Sequence, residues 1–190
     1  MPSRFDPQSE ADSARLIADH PLAWLVSRNF NASPLPLLAE TGDDGSVTAL
    51  FGHCALSNPL VADFRADSAG MVLFNGPAGY VSPALLSKPD WAPTWNYAVL
   101  RYRVEIEFVG KETGDAIERL VKAMEGDNWS TDRLGPRYAS LLQHIIAFRA
   151  HVRAADPVFK LGQDESADGF AEIVARHPDR TLAAWMEGQK

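Results

Sequence analysis

At 190 residues, 46% hydrophobic and 23% charged, the chain has the composition of an ordinary globular protein and the length of one domain. Its single cysteine excludes an internal disulfide framework, and neither a signal-peptide core near Met1-Pro2-Ser3-Arg4 nor an apolar run of membrane-spanning length is present, so a cytoplasmic protein is expected. A formal net charge of −7 argues against direct nucleic-acid binding, because phosphate contacts require a basic face.

In chain order, Asp6-Pro7 predicts a helix start and Pro21 its end after about Asp19. Residues 22–27 and 35–39 are apolar runs of strand length. Thr41 to Ser46 carries the Gly/Asp chemistry of a hairpin turn, and Val47 to His53 reads as the return strand. Asn58-Pro59 predicts a short capped helix to about Arg65, followed by a strand over Met71 to Phe74. The stretch from Phe74 to Tyr97 reads as a stiff loop. Over 97–109, Ala98, Leu100, Tyr102, Val104, Ile106 and Phe108 alternate with Arg101, Arg103, Glu105 and Glu107, the pattern of a half-buried antiparallel strand. Thr113 predicts a helix cap and Gly126 its stop, with Ile117, Leu120, Val121 and Met124 on one face. A second helix is expected from Pro136 to Phe148, a strand over 150–161, and two helices, Ser166 to Ala175 and Pro178 to Glu187. Short strands joined mostly by turns favour a closed antiparallel barrel over a parallel sheet.

Several chemistries are missing. There is no dinucleotide or P-loop glycine motif and no Gly-x-Ser-x-Gly elbow. The five histidines, His20, His53, His144, His151 and His177, lack metal-ligand spacing, so no metal site is expected. Cys54 adjoins His53, but neighbours on a strand point to opposite faces, and a small buried hydrophobe is the better reading. Gly76-Pro77-Ala78-Gly79 has a Gly-x-x-Gly spacing without basic flanks and reads as a turn. No residue stands out as a catalytic acid or base.

The informative stretch is Phe74 to Tyr97. Four prolines and two glycines stiffen it around Tyr80, Trp91, Trp95 and Tyr97, with Ser82, Ser87, Lys88, Thr94 and Asn96 among them. Flat rings can cover an aromatic ligand while hydroxyls, an amide and an ammonium hold phosphate oxygens. A packed loop sealing a barrel mouth accounts for the same composition equally well.

The order of residues then adds something that composition does not. Asn75-Gly76-Pro77, Tyr80-Val81-Ser82-Pro83, Ser87-Lys88 and Pro93-Thr94-Trp95-Asn96-Tyr97-Ala98 together resemble the central signature of the PaiB family, FMN-binding split-barrel proteins often described as negative transcriptional regulators. Leu35-Pro36-Leu37-Leu38, Gly52-His53 through Ser57-Asn58-Pro59, Ile146-Ala147-Phe148 and Lys160-Leu161-Gly162-Gln163 are similar to its flanking motifs. The resemblance implies an α+β fold, an antiparallel split β-barrel of the pyridoxamine-phosphate-oxidase-like, FMN-binding kind with flanking helices. It implies one such domain over residues 1–190 with C-terminal helices from about 166, in a homodimer holding FMN at the subunit interface. By the same resemblance Ser82 and Lys88 would contact the phosphate or ribityl chain, Trp95, Asn96 and His53 would lie near the flavin, and Lys160 and Gln163 would close the pocket.

This chain departs from the family pattern at four places. Leu56 stands where an arginine is expected, removing a bidentate phosphate contact that lysine only partly replaces. Pro34 replaces a histidine, Ala84-Leu85-Leu86 replaces a Trp-Tyr-Pro segment, and Asp164-Glu165 replaces an Asn-Arg pair. Three functions are therefore weighed: an FMN-binding protein with flavin redox or ligand-sensing activity, a regulator acting through a protein partner or sensed ligand, and a degenerate split barrel that has lost FMN.

Overall fold

The structure is a computed structural model that describes residues 3–88 and 90–189. Helix α1 (Glu10–Asp19) leads into strands β1 (Leu22–Ser27), β2 (Ala32–Thr41) and β3 (Val47–Ala55). Helix α2 (Pro59–Ala66) precedes the long strands β4 (Ala69–Val81) and β5 (Thr94–Phe108). Helices α3 (Thr113–Glu125) and α4 (Pro136–Leu142) come next, then β6 (Ile145–Lys160), α5 (Ala167–Arg176) and α6 (Arg180–Glu187). The strands close into an antiparallel barrel in the order β1-β2-β3-β6-β5-β4, with β1 pairing back onto β4. This is the helix-flanked antiparallel barrel expected from the turn-linked strands.

The barrel interior is filled by the alternate residues that the strand periodicity selects. Val72, Phe74, Ala98, Leu100, Tyr102, Val104, Ala150 and Phe159 are buried there. Leu16 and Ile17 of α1, Leu60, Val61 and Phe64 of α2, and Phe170, Ile173, Leu182, Trp185 and Met186 of α5 and α6 complete the same core. On β5 the exposed row Arg101, Arg103, Glu105 and Glu107 lies opposite, as its alternation requires.

Helix α3 seats on the outside of β3 and β6 through a smaller cluster of Phe51, Ala116 and Ala147. Arg119 and Arg149 each stack over the Phe51 ring, 4.7 Å from its centroid. Arg149 donates to Glu40 and, with both terminal nitrogens, to Glu112 at 2.9 and 2.7 Å. Arg119 donates to Glu40 as well. Burial alone would raise the Glu40 carboxyl, but the hydrogen bonds from Arg149 and Arg119 more than reverse it and leave it below the usual carboxylate range. The hydrogen bonds from Arg149 lower Glu112 in the same way.

The structure corrects several element boundaries. Helix α1 begins three residues after Asp6-Pro7: the Asp6 carboxylate accepts from the Ser3 amide, while Ser9 is the N-cap and donates its amide to Asp12 at 2.9 Å. The 74–97 stretch is not one loop. Strand β4 runs on to Val81, and only 82–93 connects it to β5. Gly76-Pro77, read as a turn, instead forms an irregularity where the β4–β5 register shifts between Asn75 and Ala78, one of the few strand sites that tolerates proline. Close helix approach is why β4 carries glycines. A Cβ at Gly70 would meet Phe64 of α2, and one at Gly76 would lie 2.8 Å from Leu16 of α1.

The expected helix from Pro136 to Phe148 stops at Leu142, and Ile145 and Ile146 open β6, so their apolar spacing belongs to a strand. On α3 the expected face of Ile117, Leu120 and Val121 is only half-buried and Met124 is exposed, because Thr113 and Ala116 make the contact. The last helix begins at Arg180 rather than at Pro178, capped by Asp179, whose carboxylate accepts from the amides of Thr181 and Leu182. No helix among the described residues is long and apolar enough to cross a membrane.

Candidate functional site

At one end of the β4–β5–β6 sheet the outer side stays exposed at Tyr80 and Trp95. Because Asn96, Ala98 and Leu100 point inward, Trp95, Tyr97 and Val99 must point outward. Across the ladders Tyr80 faces Trp95, Lys160 faces Tyr97, and Val158 faces Val99. Tyr80 and Trp95 meet edge to face, ring centroids 5.7 Å apart, yet remain 49% and 57% exposed. Lys160 stands beside them and donates from Nζ to Thr94 Oγ1 at 2.9 Å and to the Trp95 carbonyl at 2.8 Å. An aromatic pair with a cation at its edge suits a flat, anionic ligand.

The 82–93 connection beside this strip is held by α5 and the segment before it. Ser82 caps the turn that follows, its Oγ accepting from the Ala84 amide. Ser87 donates both its amide and its hydroxyl to Glu172, each at 2.6 Å. Those bonds lower the Glu172 carboxyl. Arg176 donates to the Leu85 carbonyl, Trp91 Nε1 donates to Glu165 at 2.9 Å, and Lys88 Nζ donates to Ser166 Oγ at 3.1 Å. Lys88 and Ser82 therefore sit on a braced connection.

Asn96 faces the interior: it is buried, its Nδ2 donates to Met186 Sδ at 3.5 Å, and its Oδ1 has no partner among the described residues. Gln163 is satisfied within its own turn, donating to the Phe159 carbonyl and accepting from the Leu161 amide. His177, at the corner between α5 and α6, bridges this corner to the strip. Its Nδ1 accepts from the Asp179 amide, so Nε2 is the donor to the Tyr80 carbonyl at 3.2 Å.

Ser82, Lys88, Trp95, Lys160 and Gln163 thus lie at one end of the barrel, with Asn96 inside it at the same end. His53 lies elsewhere. It pairs with Ala147 near the start of β6, whereas Lys160 ends that strand, on the order of 40 Å of extended chain away. His53 is half-buried, its Nδ1 has no partner among the described residues, and burial holds its pKa below the ordinary value, so it is neutral at pH 7. Leu56, 42% exposed, is at this same end, its amide donating to the His144 carbonyl. Cys54 is buried on the opposite face of β3 from His53, and burial pushes its thiol up to about 11, the behaviour of a packed, unreactive residue. Among the described residues no group of three or more His, Cys, Asp or Glu side chains could hold a metal ion.

Sequence reasoning missed the bracing residues Glu172, Glu165, Arg176 and His177, whose partners are distant in the chain. It also missed that the outward face of β5 changes character. Arg101 to Glu107 make it charged at one end, and Trp95, Tyr97 and Val99 make it apolar at the other. That change of composition within one alternation was the available signal.

A closed six-stranded antiparallel barrel, flanked by helices and carrying an exposed aromatic strip on its outer face, places the chain in the class of split-barrel proteins. Solved structures share this fold at low identity. The FAD and heme binding protein from Mycobacterium smegmatis superposes with a TM-score of 0.65 at 15% identity, covering 92% of this chain and 80% of that one. The flavocytochrome Anf3 from Azotobacter vinelandii gives 0.61 at 13% identity, covering 82% and 67%. The chain belongs to the family described as putative FMN-binding domain, whose pattern matches residues 1–154. Within it the chain is PaiB-like: it is 29% identical over 150 residues to the protease synthase and sporulation protein PAI 2 of Bacillus subtilis (strain 168), covering 75% of this chain and 70% of that protein.

Proposed function

We propose that this protein is a cytoplasmic homodimer that binds FMN along the exposed aromatic strip of β4–β5–β6. The observation that carries the reading is the Tyr80–Trp95 pair, left open to solvent beside the Lys160 ammonium. A flavin ring asks for flat apolar cover and its phosphate for cations and hydroxyls. Tyr80, Trp95 and Tyr97 supply the first; Lys88, Lys160 and Ser82 supply the second. The residues present therefore fit the group. The family membership supports the same cofactor.

Two copies account for a difficulty that one copy leaves. His53, expected near the flavin, is at the far end of β6 from Lys160, and a seam between two barrels can bring opposite ends of two chains together. Its buried Nδ1, without a partner among the described residues, is the kind of group that calls for one. FMN bound at such a seam supplies one- and two-electron redox chemistry, while the chain's residues cover the ring, neutralise the phosphate and exclude water. A regulatory role would then run through the bound flavin or a protein partner rather than through DNA, since the outer face of β5 mixes both signs of charge.

The test is spectroscopic. The purified protein is expected to be yellow, or to quench added FMN fluorescence with a micromolar or tighter constant. Colourless protein that leaves FMN fluorescence unchanged at high concentration would refute the proposal. One observation favours a second reading, a split barrel that has lost FMN: the exposed side chain at the family's arginine position is Leu56.

A further inference from the structure

The donors that a bound phosphate would seek on the 82–93 connection are already taken, and by the protein itself. Ser87 presents its amide and its hydroxyl on an exposed stretch, and Glu172 of α5 fills both. Its Oε2 accepts from the amide and its Oε1 from the hydroxyl, each at 2.6 Å. Arg176, one turn further along α5, donates to the same carboxylate at 3.3 Å. The Lys88 ammonium, held on Ser166 Oγ at 3.1 Å, adds its charge through space. An amide, a hydroxyl, a guanidinium and an ammonium around one anion are the donor set of a phosphate site. A carboxylate that accepts through both oxygens stands in for two of the phosphate oxygens.

The connection does not need Glu172 to keep its shape. Leu86 is buried in the core against Gly169, Arg176 donates to the Leu85 carbonyl at 3.1 Å, and Trp91 Nε1 donates to Glu165. The turn also closes on itself, the Leu85 and Leu86 amides donating to the Ser82 and Pro83 carbonyls. Ser87 is therefore aimed by its neighbours, and its donors stay in place when the carboxylate leaves. The Glu172 side chain is 25% exposed, and rotation about its own bonds carries it off Ser87 without backbone movement. Because water replaces such bonds at a partly exposed position, their net hold is modest and another anion can displace them.

We propose that Glu172 is an internal competitor for an anionic ligand: its carboxylate occupies the Ser87 donor set that a phosphomonoester takes over, so the Ser87–Glu172 latch and the bound ligand exclude one another. This rests on the flavin reading above for the identity of the ligand. A dianionic phosphate interacts more strongly with the Lys88 and Arg176 charges than a single carboxylate does. Binding must still displace the latch, so affinity is held below what the same donors would give if free. Helix α5, which lies beyond residues 1–154 of the family's pattern, is thereby coupled to occupancy of the site.

Isothermal titration of inorganic phosphate, FMN and riboflavin, the last lacking the phosphate, tests this on wild type, Glu172→Gln and Glu172→Ala. Both variants are expected to bind inorganic phosphate at least about tenfold more tightly than wild type, the effect of freeing a charge-assisted pair of donors. FMN should gain by a similar factor and riboflavin should not. Asp168→Asn, exposed one turn earlier on α5, removes the same charge without touching Ser87 and should leave the phosphate constant within about twofold. A phosphate constant unchanged in both Glu172 variants, or tightened equally by Asp168→Asn, would overturn the latch. If the Glu172 variants gain phosphate while no form binds FMN or riboflavin, the latch stands and the flavin reading falls. If wild type binds FMN and neither Glu172 variant gains for phosphate or FMN, the latch falls and the flavin reading stands.

Discussion

Replacing Gly79 by alanine tests whether the C-terminal helices set the shape of the aromatic strip. A Cβ built there would lie 2.7 Å from Leu182 Cδ2 and 2.9 Å from His177 Cε1. Neither neighbour can simply step aside. Leu182 is fully buried, and His177 is hydrogen-bonded through both ring nitrogens. Overpacking of a closed core costs about 1–3 kcal/mol, and loss of the bond from His177 to the Tyr80 carbonyl adds about 1 kcal/mol. For a chain of this size the sum corresponds to a fall of roughly 5–15 °C in melting temperature. Thermal unfolding followed by circular dichroism checks the fall. Gly114→Ala on α3, where a Cβ finds nothing nearer than Tyr138 Oη at 3.7 Å, is the control and should gain roughly 0.5–1 kcal/mol. A Gly79→Ala protein melting within about 2 °C of wild type would show that α6 and His177 do not pack against β4 as described.

Two further outcomes are expected. Arg149→Met removes the partner that lowers Glu40 and Glu112. Carboxyls depressed in the folded state stabilise it above their ordinary pKa of about 4.3, and that contribution is lost as pH falls through the lowered folded values. The variant should therefore melt lower at pH 7 and lose less on going from pH 5 to pH 3 than wild type does; parallel melting-temperature profiles would contradict the assignment. Leu56→Arg should tighten FMN binding by ten- to a hundredfold in a fluorescence titration, the effect of one charge-assisted phosphate contact, and an unchanged constant would count against phosphate lying near this corner.

Much of this fold could be read directly because β periodicity is a local property. The alternation on 97–109 located β5 and its faces, and Asn58-Pro59 located α2 through a cap that the structure contains, with Asn58 accepting from the Leu60 amide. The Thr41–Ser46 turn likewise forms, with Gly45 at φ 82° and Asp44 accepting from the Ser46 amide and hydroxyl. What failed was local chemistry overruled by tertiary neighbours. Gly76-Pro77 reads as a turn until Leu16 is known to need the space, and Ile145-Ile146 reads as helix until β3 and β5 are known to await a strand between them. The site was legible as a region because its aromatic residues are close in sequence. Its division between two ends of β6 was not, since that depends on register, and neither was the inward direction of Asn96, which the strand start at Thr94 decides.

The position of β6 has a consequence for how the molecule is made. Among the described residues it is the last strand in chain order, yet it lies between β3 and β5. Until Ile145–Lys160 has emerged, the five earlier strands form an open sheet with two bare, hydrogen-bond-hungry borders. At bacterial or eukaryotic synthesis rates of about 5–20 residues per second, the interval between completion of β5 and completion of β6 lasts several seconds. A nascent chain in that interval has unpaired edges and no means of closing, the state most prone to pairing with a neighbour. β6 is thus a keystone: by pairing with β3 and β5 together it removes both bare edges in one docking step.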